Sequence, residues 1–234
     1  MLLSVVLPCF NPPHGWDQNV IRNSQWITDN LTDDFELIIV FDGCGKDIKD
    51  SVRASLQALI PALKLVEYDV NRGKGYAIRK GVAQAMGDII IYTDVDFPYT
   101  QDSFRNLFNS LQSGANDAVI GIKDEEYYSH LPTIRRWVSK ILQTMIRSSL
   151  SMPISDTQCG LKGFNTKVKP IFMGTQIDRY LFDLEFVKYC YSNRTIKVQP
   201  LQVTLNENVE FRKMNFKILI PELINFIKIL FKRS

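Results

Sequence analysis

Asp94 and Asp96 stand one residue apart, close an apolar run at residues 88–93, and are followed by Pro98. On a strand, residues i and i+2 face the same side. The two carboxylates can therefore converge on one hard divalent cation such as Mg2+ or Mn2+, which takes oxygen ligands. Upstream, Gly73-Lys74-Gly75 opens an apolar-periodic segment. Glycine tolerates positive φ and close approach of a ligand to backbone. Lys74 adds a compact cation, and the helix that follows offers N–H groups to an anion. A cation site beside an anion cradle suggests a bound diphosphate. Each feature alone is weak, because Asp-x-Asp is common in solvated turns and NRGKGY is neither a P-loop nor a dinucleotide fingerprint. Their order is more telling: turn, helix, buried strand, then paired carboxylates at the strand's C-terminal end, where open α/β sheets bind ligands.

Other side chains suit the second substrate of such a site. A phosphate monoester is mostly dianionic near neutral pH and needs cations to dock it. Lys123, Arg135, Arg136, Arg212 and Lys213 are available for that. A sugar hydroxyl needs a general base instead, and Asp156 in DTQCG is the candidate. The plainer alternatives are an Asx-turn or capping role for Asp156 and a solvated helix face for Arg135 and Arg136. His14 and His130 are the only histidines, which leaves little for a Ser-His-Asp or multi-histidine mechanism.

These residues need a scaffold, and the 234-residue chain, 45% hydrophobic, can bury an ample core. Apolar runs at 2–7, 35–41, 63–68, 88–93 and 118–122 read as strands, with helical periodicity between them. Alternating strands and helices of these lengths predict an α/β fold, a mostly parallel sheet covered on both faces. Beyond residue 122 the spacing predicts helices over 134–150 and 180–191. Ile134, Val138, Ile141 and Met145 share one helical face there. A strand follows over 195–203, where Pro200 favours an edge position. Residues 218–231 are nearly all apolar except Glu222, Asn225 and Lys228, which sit three apart. This C-terminal amphipathic helix is too short and too charged to span a bilayer. It reads either as buried against the sheet or as lying in a membrane interface, with Arg212, Lys213, Lys217, Lys232 and Arg233 toward anionic headgroups.

The net charge of +3 is too small to indicate a nucleic-acid partner. Four cysteines without a CxxC pair suggest free thiols in a reducing, cytosolic compartment, with Cys159 structural. The opening apolar run is too short for a signal peptide.

With these pieces in place, the chain resembles the family 2 glycosyltransferases of GT-A fold, most of all the dolichyl- and polyprenyl-phosphate mannosyl- and glucosyltransferases. The resemblance rests on SVVLPCFN, ELIIVFDGCGKD, NRGKGYAIRKGVAQAMGDIIIYTDVD, VIGIK, DTQCGLKGFN and FDLEFV. It covers residues 1–205 as a catalytic domain and leaves 206–234 as a basic, apolar segment. It implies inverting transfer of a hexose, mannose or glucose, from a GDP- or UDP-sugar to a polyprenyl phosphate, with Mg2+ or Mn2+. By position, Pro8, Phe10 and Asn11 would line the base pocket, and Val40 and Asp42 would hold base and ribose. Gly73, Lys74, Asp94 and Val95 would face the diphosphate, with Asp94 and Asp96 as the metal pair. Lys123, Arg135, Arg212 and Lys213 would grip the acceptor phosphate, and Asp156 matches an acidic acceptor-site residue. Pro12, Phe41 and Pro98 depart from the pattern. The resemblance also implies work on the cytoplasmic face of a membrane, peripherally or with a small membrane-protein partner. Alternatives are a family 2 enzyme that extends a surface polysaccharide through a sugar hydroxyl, and a module that binds a nucleotide-sugar without chemistry.

Overall fold

The computed structural model describes residues 1–123, 133–150, 152–154, 156–206 and 219–231. Seven strands form one sheet in the order β3-β2-β1-β4-β6-β5-β7. They are β1 (Leu3–Cys9), β2 (Phe35–Asp42), β3 (Leu63–Tyr68), β4 (Ile89–Tyr92), β5 (Ala118–Lys123), β6 (Lys162–Asn165) and β7 (Val198–Val203). All neighbours run parallel except β6, which is antiparallel to both β4 and β5. The helices are α1 (Trp16–Asn30), α2 (Asp50–Leu59), α3 (Lys74–Gln84), α4 (Gln101–Gln112), α5 (Thr133–Leu150), α6 (Lys169–Met173), α7 (Phe182–Ser192) and α8 (Leu219–Phe231).

Side chains alternate across a strand, and here the alternation divides the core in two. Leu3, Val5 and Leu7 of β1, with Leu37 and Ile39 of β2, pack beneath α1, α2 and α4. Val6, Ile38 and Val40 pack on the other face with Ala77, Ile78 and Val82 of α3, Phe172 of α6 and Phe182 and Phe186 of α7. The expected sheet with helices on both faces is what forms.

Several boundaries differ from those read in the sequence. The first strand continues through Pro8, which pairs with Val40. Proline is tolerated because β4 pairs only as far as Tyr92, opposite Val6. The missing N–H of Pro8 lies past the end of that ladder. Pro200 lies on the edge strand β7, as expected. On α5, Ile141 is exposed and Ile146 is buried.

The C-terminal helix packs one side against the body of the protein and leaves other apolar residues exposed. Phe226 and Ile229 are buried in the second core, while Leu223, Ile224, Ile227 and Phe231 are 52, 51, 47 and 82% exposed. The polar stripe is partly turned inward, with Glu222 and Asn225 half-buried and Lys228 exposed. Glu222 accepts a hydrogen bond from the Leu181 N–H at 3.0 Å. Asn225 and Lys228 line a cavity of about 420 Å3 shared with Asp178 and Arg179. Among the described residues, no helix is long and apolar enough to cross a membrane.

Candidate active site

β1 is the point where the strand order turns. β2 and β3 lie to one side of it, and β4 to the other. In open α/β sheets ligands bind outside the carboxyl ends of the strands at such a reversal. Leading away from β1 are Phe10, 43% exposed, and Asn11, whose φ is 45°. From β4 lead Asp94 and Asp96. β2 delivers Asp42 to the same rim.

Asp42 is 3% exposed and its carboxylate is saturated by the chain itself. One oxygen accepts from Tyr68 Oη at 2.9 Å and Arg72 N at 2.7 Å. The other accepts from Asn71 Nδ2 at 2.8 Å and Gly73 N at 2.9 Å. The anion cradled by the 71–73 turn is therefore the protein's own carboxylate. Burial, then the charge of Asp42, pushes the Tyr68 phenol up, so it stays a donor. At the head of α3, the Tyr76 N–H is also taken, by the Asp178 carbonyl at 3.1 Å. The two glycines make room for chain rather than for ligand. A Cβ on Gly73 would sit 2.6 Å from Asp178 O, and one on Gly75 2.5 Å from Phe182 Cβ. What this turn turns toward the cleft is Lys74.

Lys74 Nζ lies 2.5 Å from Asp94 Oδ1. Burial works against its charge, but Asp94, Asp183 and Asp96 outweigh burial and hold its pKa above the usual lysine value. Asp94 and Asp96 do not share a strand face, because β4 ends at Tyr92. They sit in a turn closed by the Phe97 N–H to the Asp94 carbonyl at 3.0 Å, with Phe97 at a φ of 48°. The turn alternates its side chains: Val95 and Phe97 are 6% exposed, while the aspartates are only partly buried. The segment is clamped from outside by Thr100 N to Thr204 O, and by Asn206 Nδ2 to the carbonyls of Phe97 and Tyr99. Gly160 backs the carboxylate: a Cβ there would meet Asp94 Oδ2 at 2.5 Å, and its N–H donates to Tyr99 Oη at 2.8 Å.

A buried polar network lies beneath the pair. Lys162 is fully buried and donates to Asp183 at 2.6 Å and to the Cys159 carbonyl. Tyr92, its cross-strand partner, donates to the same Asp183 oxygen at 2.7 Å. Burial, then the charge of Asp183, keeps the Tyr92 phenol protonated. An ion pair taken this far out of water holds only when its remaining hydrogen bonds are made. Lys162, Asp183, Tyr99 and Gly160 have no place in the sequence reading of the site. The available signal was a lysine inside the short apolar piece after DTQCG and an aspartate in FDLEFV.

Asp156 accepts a hydrogen bond from the Lys123 N–H at 2.7 Å, and Lys123 Nζ is 3.8 Å from its other oxygen. The two residues predicted for the acceptor side thus stand together. Burial pushes the Cys159 thiol up, which keeps it protonated, and the four cysteines are buried thiols outside any disulfide. Val40 is fully buried, its side chain against Gly81 of α3, so it shapes the sheet under the rim. Pro8 is partly buried at the end of β1. Arg135 lies in the first turn of α5. Arg212 and Lys213 lie outside the described residues.

The sequence matches the family model for glycosyl transferase family 2 over residues 4–170. The chain belongs to that family. It is 30% identical over 238 residues to a dolichyl-phosphate beta-glucosyltransferase of Trichomonas vaginalis, an alignment covering 97% of this chain and 72% of that one. It is 24% identical over 166 residues to an undecaprenyl-phosphate 4-deoxy-4-formamido-L-arabinose transferase of Pseudomonas syringae, covering 71% and 48%. Its fold is similar to that of glucosyl-3-phosphoglycerate synthase from Mycobacterium tuberculosis, in a crystal structure with Mn2+ and UDP. The TM-score is 0.67 at 16% identity, over all of this chain and 81% of that one. The GT-A fold expected from the sequence is the one found, and family 2 membership makes the protein a glycosyltransferase.

Proposed function

We propose that the protein transfers a hexose, with inversion, from a nucleoside-diphosphate sugar to a polyprenyl phosphate at a membrane surface. The observation that carries the donor half is the Lys74–Asp94 pair beside Asp96 at the sheet's switch point. The relatives' names support the acceptor, and the dolichyl-phosphate beta-glucosyltransferases among them favour glucose over mannose.

The residues present fit a divalent metal. Asp94 and Asp96 are hard oxygen donors, and the Lys74 ammonium against Asp94 marks a place where positive charge is held. No cluster of three or more His, Cys, Asp or Glu suited to a metal occurs among the described residues. Two carboxylates suit Mg2+ or Mn2+, which commonly completes its shell with waters and substrate phosphate oxygens. When bound, the metal would supply Lewis-acid stabilisation of the departing diphosphate. The chain's own contribution on the donor side is Lys74, a cation beside the place where leaving-group charge develops. Phe10 and Asn11 flank the base side of the rim, and Val95 anchors the turn that holds the aspartates.

Asp156 favours a phosphate acceptor over a sugar hydroxyl. Its carboxylate accepts the Lys123 N–H and lies 3.8 Å from the Lys123 ammonium, which suits it poorly to act as a base, and an incoming phosphate dianion needs no strong base. Arg135 on α5, with Arg212 and Lys213, completes the set of acceptor cations in this reading. The outward apolar residues of α8, with basic residues flanking it in sequence, suit an anionic lipid surface on the cytoplasmic side.

The test incubates the full chain with UDP-glucose or GDP-mannose, polyprenyl phosphate in anionic vesicles, and Mn2+ or Mg2+. Lipid-linked hexose is the expected product, and Asp96→Ala is expected to lose about a hundredfold or more in turnover. A full-rate Asp96→Ala enzyme overturns the metal pair. Transfer only to a sugar hydroxyl, abolished by Asp156→Asn, replaces the acceptor with a saccharide. Vesicle binding only in the presence of a second membrane protein makes that protein the occupant of the α8 face.

A further inference from the structure

The Lys74 ammonium sits 2.5 Å from Asp94 Oδ1 and feels Asp96 and Asp183 as well. It therefore occupies the ground a divalent cation would take. The other Asp94 oxygen is walled by Gly160, whose added Cβ would lie 2.5 Å from Oδ2. With Lys74 on one oxygen and the Gly160 backbone close to the other, a metal drawn to Asp94 competes with the ammonium. A doubly charged ion and an ammonium on one carboxylate repel each other strongly in a cleft where the effective dielectric is far below that of water.

We propose that Lys74 is a resident counter-ion of the metal site, which holds divalent cation affinity down until a nucleoside diphosphate arrives. The diphosphate draws the ammonium off Asp94 onto its own oxygens and leaves Asp94 to the metal. Metal and nucleotide then bind with positive coupling, and by linkage each raises the other's affinity by the same factor. Asp183 also attracts the Lys74 ammonium electrostatically. Asp183 itself is held in place by Lys162 and Tyr92. A site built this way stays nearly empty of metal when donor is absent.

The inference rests on Asp94 being a metal ligand, and the experiment separates the two. Mn2+ binding to the full chain is measured by electron paramagnetic resonance and by calorimetry, without nucleotide and then with UDP or GDP. Lys74→Met and Lys74→Gln are expected to bind Mn2+ alone about tenfold more tightly than the wild type, and Lys74→Arg, which keeps the cation, about as weakly as the wild type. Equal or weaker Mn2+ binding by both neutral variants, with their melting temperatures retained, overturns the counter-ion role. Tighter binding by Lys74→Arg as well overturns it too, since the charge would then be irrelevant. Asp94→Asn reports on the underlying assignment: wild-type Mn2+ binding in that variant removes the metal site itself, whatever Lys74 does.

Discussion

Gly160→Ala is the most discriminating perturbation, because it strikes the site through one contact and leaves the fold almost untouched. The new Cβ would lie 2.5 Å from Asp94 Oδ2, while Asp94 Cγ and Tyr99 Oη stay at a tolerable 3.4 Å. The oxygen must retreat by about half an ångström before the contact even reaches 3.0 Å. The Asp94 side chain is 40% exposed, so a shift of that size at its carboxylate is cheap for the fold. The loss is at most a half-exposed ion pair, about 0–1 kcal/mol. Gly160 is not among the positive-φ glycines, so alanine is admitted, and the restricted unfolded chain returns about 0.4–1 kcal/mol. The melting temperature should therefore move by less than about 4 °C. Catalysis should not be spared: misplacing a ligand to the reacting groups by a fraction of an ångström to 1 Å costs on the order of a hundredfold. The assay is hexose transfer beside a thermal melt of the same sample. Turnover within a few-fold of the wild type would refute the placing of Asp94 at the reacting groups. A melting temperature lowered by more than about 8 °C would refute the claim that the contact is local.

Two further predictions concern the parts that hold the site. Asp42→Ala strands two backbone N–H groups, an amide and a phenol at the 68–73 turn, and should cost about 3 kcal/mol, read as a fall of roughly 10 °C in melting temperature. Asp42→Asn, which keeps two acceptor positions, should recover part of it, and an Asp42→Ala protein as stable as the wild type would show that the turn holds itself. Glu222 has its pKa raised above the ordinary 4.5, by burial first, with the Leu181 N–H and Asn225 offsetting only part of that. The folded state therefore binds the proton more tightly, so this contribution is complete below about pH 4.5 and is lost as pH rises through the higher folded-state value. Hydrogen exchange at the Leu181 amide should quicken with pH beyond its intrinsic chemistry in the wild type and lose that extra slope in Glu222→Gln; equal slopes would exclude the coupling.

Much of the site was legible because it is local. Lys74, Asp94 and Asp96 lie within one turn–helix–strand–turn unit, and period-two and period-3.6 patterns reveal such units directly. The same patterns gave the two-faced sheet and the edge placement of Pro200, because burial of alternate residues is a property of each strand alone. Asp156 was found through its motif, and the structure supplied its neighbour, Lys123.

Tertiary structure decided what no spacing encodes, namely which donors reach which acceptors. The sequence marked Gly73 and Gly75 as places of close approach, but only the packing of residues 177–182 shows that the chain itself makes that approach. It offered Asp42 as a ligand to base and ribose, whereas four donors converging from β3 and the 71–73 turn make it the anchor of that turn. The antiparallel β6 brings Lys162 beside Tyr92, and α7 closes Asp183 over both. A buried charge is stable only where distant segments satisfy it. Periodicity therefore pointed to Lys74, Asp94 and Asp96 as candidates, and the folded topology alone set their partners.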